Sequence, residues 1–266
     1  MDQFNRLSII TTCMNRLEHL KVTLPIFLKQ SNSEVIVVDY GCSQGTKEYV
    51  NENYPMVKVI KAENILTFSA SKARNIGAKN AKGEVLFFCD ADAILHEDIG
   101  LWIKENFSKN NFYITPKGGN GTMGTFIVSS ESLFKAGGYD EAFDAWGGED
   151  KDIYDRLEVL GLNKSVYPLG FVTTIAHSDE MRQLGPLHGA LATKEEQVKL
   201  NKTYRDIKSE IMKAEGVSLD LDCRVNIMTQ VKYFFKNQTS IRGEIEISYN
   251  SKNDLNQKKT FKFIVK

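Results

Sequence analysis

The chain has 266 residues, enough to bury one large hydrophobic core and a small second one. Its 34 basic and 34 acidic residues cancel, so the chain as a whole has no net field that would attract nucleic acid. No apolar run approaches the roughly 20 residues of a membrane span, and the N-terminus lacks the basic-then-apolar order of a signal peptide. The 4 cysteines show no Cys-x-x-Cys spacing, which favours reduced thiols in a soluble cytoplasmic protein.

Short apolar runs alternate with helical patterns in the first part of the chain. Strands are predicted at residues 7–12, 35–39, 57–60 and 85–89, and helices at residues 18–30 and 69–79, with another helix ending near residue 54. Continuous apolar runs such as residues 85–89 are typical of strands that are covered on both faces. The alternation predicts an α/β fold with a mostly parallel central sheet and helices on both faces.

The next part of the chain contains a segment of unusual composition. Residues 137–150, here called the glycine-rich segment, place an aromatic and acidic stretch between two glycine pairs and end in two carboxylates. A helix is predicted to begin at those carboxylates. The surrounding elements are predicted helices at residues 97–109 and 194–214 and strands at residues 112–115, 125–128 and 172–177.

After Gly216 the apolar positions follow a period of two. Strands are predicted at residues 224–235, 241–247 and 261–265, so residues 1–215 form the main domain and residues 216–266 a small antiparallel β tail. From Arg224 to Lys266 there are nine basic and three acidic residues, a net of +6. This excess predicts either a solubilising surface or peripheral contact with an anionic partner, such as the inner face of a membrane.

Polar residues follow several predicted strands, where the ligands of parallel sheets bind. Residues 11–16, Asp39 and Asp90 to Asp92 are expected to meet at this edge. Asp90 and Asp92 follow a buried strand, and alternate carboxylates in that position hold a divalent cation or simply form a solvated turn. Asp39 is placed to contact a nucleotide or to cap the following turn.

Other candidates lie on helices and at a strand end. Arg74 is placed to pair with phosphate or to form a surface salt bridge. Glu149 and Asp150 open a helix, where they cap it or accept a proton from a substrate hydroxyl, and Trp146 before them offers a face for a sugar ring. His177 at a strand end is a candidate metal ligand or a structural histidine, and His188 is interpreted as structural.

Five motifs in order over residues 7–180 resemble the inverting, metal-dependent glycosyltransferases of family 2, which have the GT-A fold. Residues 7–16 resemble the first strand and loop of the family. Residues 35–46 are similar to its VDxGSxDGT region, with Tyr40, Cys42 and Gln44 departing in detail. Residues 73–77 match ARNxG, residues 90–92 match DxD, and the glycine-rich segment resembles the GGFDE and WGGED motif of galactosyltransferases and chondroitin-type polymerases.

The resemblance implies a role for each matching residue. It assigns the nucleotide-sugar donor to Thr11, Arg16, Asp39, Arg74, Asp90 and Ala91, a Mn²⁺ or Mg²⁺ ion to Asp90, Asp92 and His177, and a saccharide or glycoconjugate acceptor to Trp146, Gly148 and Glu149. Asp150 is the expected general base of a single displacement. UDP is the usual donor nucleotide of the family, which leaves hexoses and N-acetylhexosamines open.

Two other functions are compatible with the same fold. A sugar nucleotidyltransferase would need a glycine-rich basic loop for a triphosphate, and the first loop of this chain lacks one. A non-catalytic carbohydrate-binding protein would not need Asp90, Asp92, Asp150 and His177 together.

Overall fold

A seven-stranded mixed sheet forms the centre of the molecule, with strand order β3-β2-β1-β4-β7-β6-β8. The computed structural model describes residues 4–63, 65, 68–119, 121–143, 147–175, 194–216, 219–237, 243–251 and 257–265. Its strands are β1 (Leu7–Cys13), β2 (Ser33–Asp39), β3 (Lys58–Lys61), β4 (Val85–Asp90), β5 (Ala93–Leu95), β6 (Asn111–Ile114), β7 (Phe126–Ser129), β8 (Asn163–Val166), β9 (Val172–Thr174), β10 (Gly243–Ser251) and β11 (Gln257–Val265). Its helices are α1 (Leu17–Leu28), α2 (Thr46–Asn53), α3 (Ala70–Asn80), α4 (Ile99–Asn106), α5 (Ser130–Lys135), α6 (Glu149–Val159), α7 (Lys194–Glu215) and α8 (Leu221–Asn237).

The parallel part of the sheet brings the ends of three strands to one edge. β1 pairs in parallel with β2 and with β4, and β2 pairs in parallel with β3. In this register Cys13 lies opposite Asp39, and Thr12 lies opposite Asp90. The predicted α/β fold and the shared carboxyl edge are therefore confirmed.

Helices cover both faces of this sheet, as its continuous apolar strands predict. Along β4, Phe87 belongs to one hydrophobic core and Phe88 to the other, because neighbouring side chains of a strand point to opposite faces. Leu24 of α1 packs in the first core and Ala73 of α3 in the second. The close packing of α3 on β1 requires Gly77, since a Cβ there would overlap the Ile10 side chain.

The second part of the sheet is partly antiparallel. β7 lies antiparallel to both β4 and β6, and β8 lies parallel to β6. A separate ribbon pairs β5 with β9, with Ala93 opposite Thr174. This ribbon places Ile175, the residue after β9, beside the turn that follows β4.

The strand predicted at residues 224–235 is wrong, because these residues lie within α8. Ile227, Met228, Val231 and Phe234 are buried, which is helical spacing, whereas Val225 and Tyr233 are exposed. The prediction failed because β-branched and aromatic residues at alternate positions also imitate a strand. The strands predicted at residues 241–247 and 261–265 correspond to the antiparallel pair β10 and β11.

The C-terminal elements share a third hydrophobic core with the glycine-rich segment. Side chains of α7, α8, β10 and β11 pack together with Ala142 and Phe143. No helix within the described residues has an apolar stretch long enough to cross a membrane.

Candidate active site

The Asp90 to Asp92 turn lies at the carboxyl edge of the sheet. Asp90 ends β4 with 45% of its side-chain surface exposed, so its carboxylate is available to a ligand. The turn is anchored because the buried Ala91 carbonyl accepts a hydrogen bond from Thr23 Oγ1 at 2.7 Å. The carbonyl of Asp92 accepts from the Ile175 N–H at 2.9 Å, which brings the end of the β5–β9 ribbon to this turn.

The carboxylates of Asp90 and Asp92 are the oxygen donors that Mn²⁺ and Mg²⁺ prefer. Within the described residues there is no group of three or more His, Cys, Asp or Glu side chains that could hold a metal ion. The predicted third ligand, His177, lies outside the described residues, as does His188. Of the two, the Asp90 carboxylate is seen to be half-exposed at the edge where parallel sheets bind ligands, which fits one position of a divalent-cation site.

Asp39 shapes the loop that follows β2. The residue is only 1% exposed, and its two carboxylate oxygens accept from the backbone N–H groups of Cys42 at 2.9 Å and Lys47 at 3.1 Å. These contacts correspond to the capping alternative for Asp39. Thr11 is buried, and its hydroxyl has no hydrogen-bond partner within the described residues. Arg16 is half-buried at the start of α1, where its carbonyl accepts from Leu20 N.

Arg74 joins the two sides of the site. Its guanidinium, on α3, has 8% of the side-chain surface exposed and contacts three carboxylates. Nη1 lies 3.1 Å from Glu149 Oε1 and 2.9 Å from Asp150 Oδ1, and Nη2 lies 3.4 Å from Asp90 Oδ1. The guanidinium also lies 5.3 Å from the centre of the Tyr139 ring, within the range of a cation–π interaction. Arg74 is therefore a buried guanidinium that joins three carboxylates, not a surface salt bridge.

Asp150 has the electrostatic environment of a general base. Burial raises its pKa to about 7; the charge of Arg74 opposes this shift, and the charges of Glu149 and Asp90 add to it. With 24% of its side-chain surface exposed, the carboxylate is also within reach of a substrate hydroxyl. A base whose pKa lies near neutral pH combines ionisation with effective proton transfer.

The end of the glycine-rich segment turns sharply into α6. Gly147 and Gly148 have φ values of 99° and 96°, which favour glycine. Glu149 Oε2 accepts from the Gly147 N–H at 2.6 Å, while Oε1 contacts Arg74. Glu149 thus both holds the turn and orients Arg74. Trp146 lies outside the described residues.

Asn75 connects α3 to the glycine-rich segment and was missing from the predicted site. Its Nδ2 donates to the Tyr139 carbonyl at 2.9 Å and to Glu141 Oε1 at 2.8 Å, and its Oδ1 accepts from the Tyr139 N–H at 2.9 Å. The sequence signal was its place beside Arg74 in ARNxG. Gly124 was also missed: a Cβ there would lie 2.7 Å from Arg74 Nη2 and 3.3 Å from Asp150 Oδ2. No local pattern indicates that contact.

Asp140 anchors the glycine-rich segment to the C-terminal helices. It is fully buried and accepts from Tyr204 Oη at 2.7 Å and Lys208 Nζ at 2.7 Å, while Arg224 Nη1 lies 2.8 Å away. Burial raises its pKa, but the charges of Lys208 and Arg224 outweigh burial and lower it to about 2. Asp140 is therefore ionised in the folded protein at any physiological pH.

Two family models match adjoining parts of the chain. The model described as "Glycosyl transferase family 2" matches residues 8–105, which contain β1 to β5 and the Asp90 to Asp92 turn. The model described as "N-terminal domain of galactosyltransferase" matches residues 105–178, which contain the glycine-rich segment and the start of α6. The boundary between the two models separates the Asp90 side of the site from the Asp150 side.

Curated relatives with similar sequences are glycan synthases. Poly-beta-1,6-N-acetyl-D-glucosamine synthase of Staphylococcus aureus is 29% identical over 112 residues, which are 40% of this chain and 26% of the relative. Chondroitin sulfate synthase 3 of Mus musculus is 23% identical over 186 residues, 57% of this chain and 20% of the relative. The matched regions are thus about a quarter or less of the length of these relatives.

Solved structures with the same fold include complexes with nucleotide sugars. TarS residues 1–349 of S. aureus, in complex with UDP-GlcNAc, has a TM-score of 0.59 at 19% identity over 86% of this chain and 73% of that one. The mannosyltransferase PcManGT of Pyrobaculum calidifontis, in complex with GDP-Man and Mn²⁺, has a TM-score of 0.56 at 15% identity over 89% and 71%. The two family models, which match adjoining parts of residues 8–178, support a glycosyltransferase, and the solved structures show the fold, which is GT-A.

Proposed function

We propose that the chain transfers a hexose or N-acetylhexosamine from a nucleotide sugar, with UDP as the nucleotide, to a hydroxyl of a saccharide or glycoconjugate. The observation that carries the proposal is the position of Asp150. Its carboxylate has a pKa raised to about 7 and lies 2.9 Å from Arg74, which also contacts Asp90 of the DxD turn. A base and a donor-side carboxylate that share one cation suit a reaction in which an acceptor meets a nucleotide sugar.

The donor is assigned to the carboxyl edge of the sheet. Asp90, Asp92 and His177 are the residues that would hold Mn²⁺ or Mg²⁺, and such an ion supplies charge stabilisation for the departing diphosphate. The complexes of PcManGT with GDP-Man and Mn²⁺ and of TarS with UDP-GlcNAc support this assignment. Thr11, Arg16 and Ala91 lie at or near this edge, and Asp39 acts through the loop that it caps.

The acceptor is assigned to the opposite side, at the turn into α6. The Asp150 carboxylate takes the proton of the acceptor hydroxyl, and the resulting oxygen attacks the anomeric carbon in one displacement with inversion. Gly148 permits the close approach of the backbone, Trp146 offers a stacking face, and Glu149 orients Arg74. Arg74 keeps the carboxylates of both sides in place and stays cationic throughout.

Peripheral membrane contact through the C-terminal residues is a separate part of the proposal. Among the described basic residues there, Arg224, Lys259 and Lys262 pair with acids within the chain, which lowers the charge left for an anionic surface. These pairs are Arg224–Asp140, Lys259–Glu215 and Lys262–Glu246. Binding to vesicles that contain phosphatidylserine, and not to neutral vesicles, is the expected result; equal binding to both would contradict it.

A nucleotide-sugar panel tests the main proposal. UDP sugars with Mn²⁺ should raise the melting temperature, and EDTA should remove the effect. The stabilising donor should then transfer its sugar to saccharide acceptors with inversion at the anomeric carbon. Release of pyrophosphate from a nucleoside triphosphate and a sugar phosphate would instead identify a sugar nucleotidyltransferase, and binding without turnover would identify a carbohydrate-binding protein.

A further inference from the structure

A buried lysine of α7 contacts two carboxylates from different parts of the chain. The Lys208 side chain is 2% exposed, and its Nζ lies 2.7 Å from Asp140 Oδ2 and also donates to Asp152 Oδ1. Both carboxylates are buried. Nζ lies 5.4 Å from the ring centres of Phe143 and Tyr204, so the ammonium is enclosed by aromatic side chains as well.

Along the chain, the two carboxylates flank the proposed acceptor residues. Asp140 lies near the start of the glycine-rich segment, and Asp152 lies in the first turn of α6, two residues after Asp150. One ammonium group therefore links both ends of the stretch that contains Trp146, Gly148 and Glu149. We propose that Lys208 is a positioning residue, which fixes the glycine-rich segment and the first turn of α6 relative to each other for acceptor binding and for the base.

The surrounding charges indicate why a lysine is needed here. An ammonium is a compact charge with three donors, which can serve two carboxylates that approach from different directions. Arg224 also pairs with Asp140, and Arg156 also pairs with Asp152. Each carboxylate therefore contacts a second cation through its other oxygen. Burying such charges is costly compared with apolar packing, so the network is poorly explained by stability alone and well explained by the geometry that it fixes.

The inference rests on the proposed function, and its test compares the two substrates. Lys208→Met removes the link, and Lys208→Met with Asp152→Asn removes it while keeping the net charge of the buried network unchanged. Lys202→Met is the matched control, because Lys202 lies on the same helix with 66% of its side chain exposed and pairs with Asp206 at 3.0 Å. Purified variants are assayed for Mn²⁺-dependent binding of UDP, for KM of the saccharide acceptor and for kcat.

The expected result is a rise of tenfold or more in KM for the acceptor and a fall in kcat for both Lys208 variants. The Kd of UDP should stay within twofold of the wild-type value, and Lys202→Met should behave as wild type. Unchanged acceptor KM and kcat in either folded Lys208 variant would overturn this inference but not the proposed function. Equal loss of UDP binding and transfer, or failure of both variants to fold, would also overturn it, since the network would then be needed for folding. A wild-type chain that transfers no sugar would overturn the proposed function and this inference together.

Discussion

Arg74 Nη1 lies 2.9 Å from Asp150 Oδ1, so a helix on the donor side of the site holds the proposed base of the acceptor side. The same guanidinium reaches Asp90 of the DxD turn. Because one buried cation contacts both carboxylates, a change of charge at Asp90 alters the electrostatic environment of Asp150, and the reverse also holds.

Replacing Asp150 by Asn should lower kcat by about 10²–10⁴-fold, because proton transfer by a positioned base contributes that much. Asn cannot accept the proton, but it has nearly the same shape, so the Kd of UDP should not change. Asp155→Asn is the control, since Asp155 lies on the same helix with 46% of its side chain exposed. A kcat within threefold of wild type for Asp150→Asn would rule out the assignment of the base.

The pH profile should report the raised pKa of Asp150. Because the base must be ionised and its pKa is about 7, kcat/KM should fall about tenfold per pH unit below pH 7. Burial is the largest cause of the shift and Arg74 opposes it, so Arg74→Gln should move the acidic limb to higher pH. A limb that stays near pH 4, or one that Arg74→Gln leaves in place, would contradict this environment for Asp150.

The same shift predicts a pH-dependent stability difference. The pKa of Asp150 is raised in the folded state, so its contribution to stability is fully present below its unfolded pKa of 3.8 and is lost as the pH rises through about 7. Asn stays neutral throughout. The melting temperature of Asp150→Asn relative to wild type should therefore increase from pH 4 to pH 8. A difference that is constant over this range would argue against the shift.

Asp92→Ala and Asp90→Asn should each abolish the Mn²⁺-dependent rise in melting temperature caused by UDP. Both carboxylates are proposed to hold the ion against the diphosphate. Asp98→Asn is the control, because Asp98 is a nearby carboxylate with 62% of its side chain exposed. Stabilisation by UDP and Mn²⁺ that survives in both Asp90 and Asp92 variants would place the metal elsewhere.

Gly124→Ala should lower the transfer activity by more than its loss of folding stability explains. Gly124 has φ of 99°, and an added Cβ would lie 2.7 Å from Arg74 Nη2. Gly170→Ala is the matched control: φ is 87°, and a Cβ there has no heavy atom within 4 Å. Both variants should lose about 1–2 kcal/mol of unfolding free energy to the left-handed backbone.

Transfer activity, measured as kcat/KM, separates the two variants. It should fall at least tenfold for Gly124→Ala and stay near the wild-type value for Gly170→Ala. Equal activities would mean that Arg74 can shift without consequence.

The carboxyl edge was predictable because its signals are local. Each apolar run ends in a polar residue, and parallel pairing then brings Asp39 and Asp90 to the same edge as Thr12. The partners of Arg74 were not predictable in this way, since Glu149 and Asp150 lie about 75 residues further along the chain and meet Arg74 only after folding.

Two features of the C-terminal part could not be predicted from the spacing of apolar residues. Residues 224–235 fit a period of two through Val225, Ile227 and Val231, but the packing of Met228 and Phe234 selects the helix. Lys208 lies on the buried face of α7 together with Leu200, Tyr204 and Ile211. A lysine within an apolar stripe was a visible signal there, but its carboxylate partners are distant in sequence.

Asn75 limits how this enzyme can be recombined with its relatives. Its carboxamide makes three hydrogen bonds to the glycine-rich segment from a helix that the family 2 model matches, whereas the segment belongs to the galactosyltransferase match. A chimaera that exchanges one of the two matched regions without preserving this side chain would lose the hydrogen bonds between α3 and the glycine-rich segment. A segment transplanted to change acceptor selectivity should therefore keep the Tyr139 backbone where it can form its two hydrogen bonds with Asn75.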